Sequence, residues 1–159
     1  MSDNKIKLAS NDLTSIDTAN YTVKAVISDE SEDRHGEIVV QDGWDFQEYK
    51  NNPIVLFGHD ASAYPIGKTL DIEVNGSVTT ATMQFAVDEN PEAKTVWNLV
   101  KGGYLKTISV GFINVLRDGA KLLENKLLEI SVVPVPANPN AITLAAETGV
   151  IEKKDLVWL

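Results

Sequence analysis

The sequence predicts an α+β domain built mostly of antiparallel strands, and three observations carry that reading. Val74-Asn-Gly-Ser77 lies between two long alternating runs, the pattern of a tight hairpin with a mirror-image turn. Lys106-Thr-Ile-Ser-Val-Gly-Phe112 and Leu127-Leu-Glu-Ile-Ser-Val132 each alternate with period two, as half-buried strands do. Asn90-Pro91-Glu92 has the marks of a helix start: a capping side chain, a proline for the first turn and an acid at the positive end of the dipole.

Taken in order, residues 1 to about 19 are polar and without period, and read as a loose tail or partly ordered arm. Tyr21–Ile27 alternates and predicts a strand, and Gly36–Gln41 predicts a second. Trp44–Tyr49, with aromatics at 44, 46 and 49, reads as a short helix stopped by Asn51-Asn52-Pro53. Ile54–Phe57 is a short apolar strand leading to His59. In the first hairpin arm, Ile66, Leu70, Ile72 and Val74 are expected on one face. In the second, Ala81, Met83, Phe85 and Val87 alternate. The helix after Asn90 carries Val96, Leu99 and Val100 as its apolar stripe and ends at Gly102-Gly103. The strand holding Ser109 follows, then a turn at Arg117-Asp-Gly119 and a strand from Leu122 to Val133. Pro134, Pro136 and Pro139 punctuate an extended segment that is no central strand. Ile142–Ala145 is a candidate edge strand, and Glu152–Leu159 reads as a short helix or severed linker.

Composition narrows the function. The 159 residues suffice for one domain with a core. The absence of cysteine removes disulfides, thiolate catalysis and cysteine-ligated zinc. A zinc site would have to combine His35, His59 and carboxylates, an unusual set. No run of about 18 apolar residues suggests a membrane span, and Met1–Lys5 lacks the layout of a secretory signal. A net charge of -9 opposes polyanions such as DNA. The acidic cluster Asp29–Asp33 reads as a solvated loop.

The chemistry-bearing residues sit on the polar faces of the strands. Ile108, Val110 and Phe112 share one face, and Thr107, Ser109 and Gly111 the other. Leu128, Ile130 and Val132 are likewise opposed to Glu129 and Ser131. A serine hydroxyl needs a base to take its proton, and a carboxylate can hold that base in the right tautomer. Ser109, His59 and Glu129 are the candidates for the three roles. Asp60, next to His59 on an extended chain, points away from it and is the weaker orienter. Taken singly, each residue also has a plain reading: a strand serine, a surface histidine, a solvated glutamate. There is no Gly-x-Ser-x-Gly elbow.

Four segments occur in a telling order: Asp33-Arg-His-Gly-Glu-Ile-Val39, Asn52-Pro-Ile-Val-Leu-Phe-Gly-His-Asp60, Ile108-Ser-Val-Gly-Phe112 and Glu129-Ile-Ser-Val-Val-Pro-Val-Pro-Ala-Asn-Pro-Asn-Ala141. From about Tyr21 to Ala145 the chain resembles the prohead (capsid maturation) serine proteases of tailed bacteriophages. The resemblance implies a herpesvirus-assemblin-like β-barrel flanked by a few helices. It implies residues 1–20 as a flexible arm, 21–147 as the protease domain, and 148–159 as a tail or the start of a removed extension. It also implies a serine endopeptidase with His59 as general base, Ser109 as nucleophile and Glu129 as third member. His35 is expected to have a turn role. Backbone amides near Gly111 and the side chain of Arg117 are candidate oxyanion donors.

Such enzymes cut the scaffold and the capsid protein's scaffolding segment inside the immature capsid, then themselves. The implied substrates are therefore the major capsid protein and scaffold segments, and the implied location is the prohead in the host cytoplasm, or a bacterium carrying a prophage. No metal, organic cofactor, nucleic acid or membrane is implied, and homo-oligomerisation is left open. The alternatives are a non-catalytic assembly or scaffold-docking module with the same fold, and an unrelated β-barrel that binds a small ligand.

Overall fold

The computed structural model describes residues 13–33 and 35–135, apart from the side chains of Leu13 and Thr14. The expectations for Pro136, Pro139, Ile142–Ala145 and the C-terminal tail lie outside these residues. The described strands are β1 (Leu13–Asp17), β2 (Thr22–Asp29), β3 (Ile38–Val39), β4 (Trp44–Asp45), β5 (Ile54–Phe57), β6 (Gly67–Asn75), β7 (Val78–Phe85), β8 (Thr107–Asp118) and β9 (Lys121–Val133). The helices are α1 (Gln47–Asn51) and α2 (Pro91–Lys101). The described residues are thus strand-rich with two α-helices, in keeping with the α+β class.

β9 organises the sheet. Antiparallel β8 runs along one of its edges, from Asp118↔Lys121 to Thr107↔Val133. Along the other edge β3, β4 and β5 pair with it in turn, all parallel, at Lys121–Leu122, Asn125–Lys126 and Ile130–Val132. Residues 38–57 therefore act as one interrupted strand that climbs β9, with α1 as the excursion between its last two steps. Beyond β5 the order continues β6, β7, β2, β1, and the sheet curls until β2 approaches β8. Inside the curl lie Val23, Ala25, Ile27, Val55, Ile66, Ala81, Met83, Phe85, Ile108, Leu127, Ile130 and Val132, all buried.

α2 plugs this core. Asn90 Oδ1 accepts the Glu92 amide at 3.0 Å and Pro91 occupies the first turn, as the helix-start signature requires. Its buried stripe is Ala93, Val96, Trp97 and Val100, while Leu99 is exposed. The expected stripe was one residue off because Trp97, not Leu99, packs inward against Tyr21 and Phe85.

Several other expectations are corrected. Leu13–Asp17, assigned to the arm, is a strand paired with β2. The strand at Gly36–Gln41 shrinks to β3. Trp44–Asp45 is strand rather than helix, because its backbone pairs with β9; its indole stacks on Phe46 and meets Phe112 edge-on. The hairpin loop is Gly76–Ser77, flanked by the pair Asn75↔Val78. Gly76 takes the left-handed conformation (φ 61°) at the first loop position, the mirror-image turn that places glycine first. In β6 a bulge leaves Leu70 between Thr69↔Met83 and Asp71↔Thr82, so Thr69 is buried and Leu70 exposed. The acidic cluster is not a free loop. Asp29 is buried and accepts the Ser31 amide, and Glu30 accepts the Gln41 amide.

Candidate active site

The site lies on the face of β5, β9 and β8 opposite the hydrophobic core. Alternation alone separates the faces: Ile130 and Val132 point into the core, and Glu129 and Ser131 point away from it. Along β8 the register Ser109↔Ser131, Val110↔Ile130, Gly111↔Glu129 is unbroken. Paired residues share a face, so Ser109, Ser131, Gly111 and Glu129 form one patch. Ser109 and Glu129 are diagonal neighbours there, a relation that separates residues by ~7–8 Å, within reach of long side chains. Ser109 is only 3% exposed and Ser131 0%. The face is covered at these two residues, yet Ser109 is no part of the apolar core.

A bulge sets this patch. The pairs Gly111↔Glu129 and Phe112↔Leu127 leave Leu128 without a partner. Leu127 is consequently buried and Leu128 exposed. The expected grouping of Leu128 with Ile130 and Val132 fails at that residue, since the bulge reverses the alternation there.

His59 reaches the patch by a turn. β5 pairs in parallel with β9 as far as Phe57↔Val132, and the Gly58 amide still donates to the Val132 carbonyl at 2.9 Å. Gly58 (φ 62°) and His59 (φ 60°) are then both left-handed, and the Asp60 amide donates to the Phe57 carbonyl at 3.2 Å. This is a mirror-image turn of the hairpin type, and a left-handed non-glycine is uncommon. The turn folds the histidine back over β9. Its backbone N–H donates to Ser131 Oγ at 3.1 Å, and Nδ1 contacts Glu129 Oε1. The other carboxylate oxygen, Oε2, accepts the Ser131 hydroxyl at 2.6 Å. Both side chains of the pair are largely shielded, at 11% and 16% exposure. A carboxylate only accepts, so Nδ1 is the donor of this pair, and in the neutral imidazole the lone pair of a base then falls on Nε2.

The structure thus brings His59 and Glu129 into contact and sets Ser109 on the adjoining strand of the same face. Gly111 lies beneath Glu129: a Cβ there would stand 2.7 Å from Glu129 Oε1. Arg117 is elsewhere. It sits at the far end of β8, about 25 Å from Ser109 at ~3.3 Å per strand residue. There it bonds the Gly119 carbonyl and Glu37, which removes it as an oxyanion donor. Asp60 turns outward, where the Ser62 hydroxyl and amide hold its carboxyl below the usual range. His35 is exposed in the turn closed by Asp33, whose carboxylate accepts the His35 and Glu37 amides. Ser131 is the site residue that sequence reasoning did not single out, although its i+2 spacing from Glu129 already put it on this face. Among the described residues no group of three or more His, Asp or Glu is arranged to hold a metal ion, and no helix is long and apolar enough to cross a membrane.

The family model described as caudovirus prohead serine protease matches residues 5–154. The chain belongs to that family. It is similar to a protein named prohead protease from Escherichia phage T5, with 33% identity over 121 residues, covering 70% of this chain and 56% of the relative. The chain therefore spans little more than half the length of that prohead protease. No solved structure is significantly similar to it.

Proposed function

We propose that this chain is the catalytic domain of a serine endopeptidase of capsid maturation, with Ser109 as nucleophile, His59 as general base and Glu129 as orienting acid. The observation that carries the reading is the contact of His59 Nδ1 with Glu129 on the sheet face that also bears Ser109. In the mechanism, Ser109 Oγ attacks the scissile carbonyl carbon as its proton passes to His59 Nε2. Glu129 stabilises the imidazolium, which then protonates the leaving amine. The acyl group stays on Ser109 until water, activated by the same nitrogen, displaces it. Gly111 is a poor oxyanion donor in this scheme, because the Glu129 carboxylate beside it would repel a developing negative charge. Its task is to leave room for that carboxylate.

Family membership supports the biological setting: cleavage of scaffold and capsid-protein segments inside the prohead of an infected cell, on an assemblin-like barrel. The near-complete burial of Ser109 favours a second reading, a non-catalytic assembly module that keeps the protease fold. One experiment separates the two. A fluorophosphonate should label Ser109 in the wild-type protein, and Ser109→Ala should abolish both labelling and cleavage of a capsid precursor without loss of the fold. Full cleavage by Ser109→Ala would remove the peptidase reading at this residue.

A further inference from the structure

Ser131 is a fully buried hydroxyl that the mechanism above does not use. It occupies the centre of the site, on the middle strand, opposite Ser109 on β8 and Leu56 on β5. Its bonding is fixed in direction. The His59 backbone N–H can only donate, so Ser131 Oγ accepts from it. The Glu129 carboxylate can only accept, so Ser131 donates its single proton to Oε2. With that proton committed to Glu129, Ser131 is no competitor to Ser109 as nucleophile.

We propose that Ser131 is a positioning residue, whose hydroxyl clamps the backbone of the histidine turn to the second oxygen of Glu129 and so fixes the acid–imidazole pair. The inference rests on the peptidase reading for its functional meaning, but its geometry stands without it. Glu129 has two oxygens and a flexible stem. With one oxygen on His59 and the other on Ser131 it has a single orientation. The same hydroxyl also holds His59 at the amide, in a left-handed conformation that few non-glycine residues adopt. Removing it frees both ends of the pair together, and the imidazole then loses the partner that selects its Nδ1–H tautomer.

The test compares the wild-type protein with Ser131→Ala. The chain has two histidines, and exposed His35 provides an internal reference, so imidazole nitrogen resonances report His59 directly. The wild type is expected to show His59 locked as the Nδ1–H tautomer. Ser131→Ala is expected to show mixed tautomers, with labelling of Ser109 by a fluorophosphonate slowed 10- to 100-fold. A purely structural serine would change the melting temperature but not the tautomer. A locked tautomer with wild-type labelling in Ser131→Ala overturns the proposal, as does a wild-type His59 that is not locked. If the wild type is locked, Ser131→Ala is mixed and neither is labelled, the clamp stands and the peptidase reading fails. Should Ser131→Ala not fold, Ser131→Cys, with a similar shape and a weak donor, is read by the same outcomes.

Discussion

Gly111→Ala is the sharpest perturbation this site offers, because it adds one methyl group where the three nearest atoms all belong to Glu129. The new Cβ would lie 2.7 Å from Glu129 Oε1, 3.0 Å from Cγ and 3.2 Å from Cδ, with no other atom among its nearest contacts. Gly111 is not among the glycines with positive φ, so alanine suits its backbone. Alanine in a strand gains roughly 0.5–1 kcal/mol over glycine. Pushing a glutamate off its rotamer costs about 0.5–1.5 kcal/mol. Those two terms nearly cancel, but the displaced carboxylate also leaves a buried hydrogen-bond partner unsatisfied, so stability should fall by about 1–3 kcal/mol. The displaced carboxylate, however, must leave His59 or Ser131. Loss of the orienting acid in a serine triad costs about 10⁴-fold in kcat, or roughly 5.5 kcal/mol of transition-state stabilisation. Partial displacement should cost ~10²- to 10⁴-fold.

The assay is the rate of fluorophosphonate labelling at Ser109, read beside a urea denaturation curve. The expected result is a rate loss far larger than the accompanying fall in stability of about 1–3 kcal/mol would explain. Glu129→Ala removes the clash, so adding Gly111→Ala to it should have little further effect, a non-additivity that marks direct contact. Labelling within threefold of the wild type in Gly111→Ala would refute the assignment of Glu129 as the orienter. A stability loss of several kcal/mol with full non-additivity absent would assign Gly111 a backbone role instead.

Two further outcomes follow from the fold. Leu127→Ala should destabilise the protein by about 2–5 kcal/mol, the cost of a cavity in a packed core, while Leu128→Ala should cost under about 0.5 kcal/mol; equal effects in denaturation would contradict the bulge. Burial, with a smaller contribution from the nearby Glu129 charge, pushes the Tyr49 hydroxyl up to about 12, though the Thr69 bond opposes the shift. Its proton is donated to the Ile54 carbonyl. The folded state thus holds the neutral phenol above the unfolded value of about 10. The resulting stability is complete below pH 10 and is lost as pH rises towards 12, a decrement of order 2–3 kcal/mol. Tyr49→Phe should lack that decrement when its denaturation is compared with the wild type at pH 9 and pH 11.5.

Alternation, turn residues and the helix cap are local signals, and they were legible where the chain obeys a local rule. The β7 face of Ala81, Met83 and Phe85, the cap at Asn90 and the strand pair bearing Ser109 and Glu129 all follow from neighbours in sequence. What was not legible is each place where a tertiary contact breaks the local period. Leu70 and Leu128 are both leucines that alternation sends inward and a bulge turns out. The cause lies in the partner strand, where the register must absorb one extra residue, and nothing in the leucine itself announces it. Trp44 reads as a helical aromatic until β9 is there to pair with its backbone. Arg117, a candidate oxyanion donor, lies eight residues from Ser109, but along an extended strand eight residues are a long distance.

The same physics explains why the shared face of Ser109 and Glu129 was legible when much of its surroundings was not. Downstream of the Leu128 bulge, the parity of β9 is pinned by Ile130 and Val132, whose burial forces Glu129 and Ser131 to the other face. On β8 the pairing is unbroken from Thr107 to Gly111, so Ser109 and Gly111 inherit that face by register. A one-residue slip of β9 would exchange core for site and bury Glu129 among apolar side chains, at the cost of an unpaired charge in the interior, and a slip of β8 would turn Ser109 inward. Hydrophobic burial therefore fixes the polar constellation as a by-product. Only the turn at Gly58-His59 requires conformations that burial does not dictate. That turn is held by the Ser131 hydroxyl from the opposite strand, a contact with 72 positions of chain between its partners that no local pattern encodes.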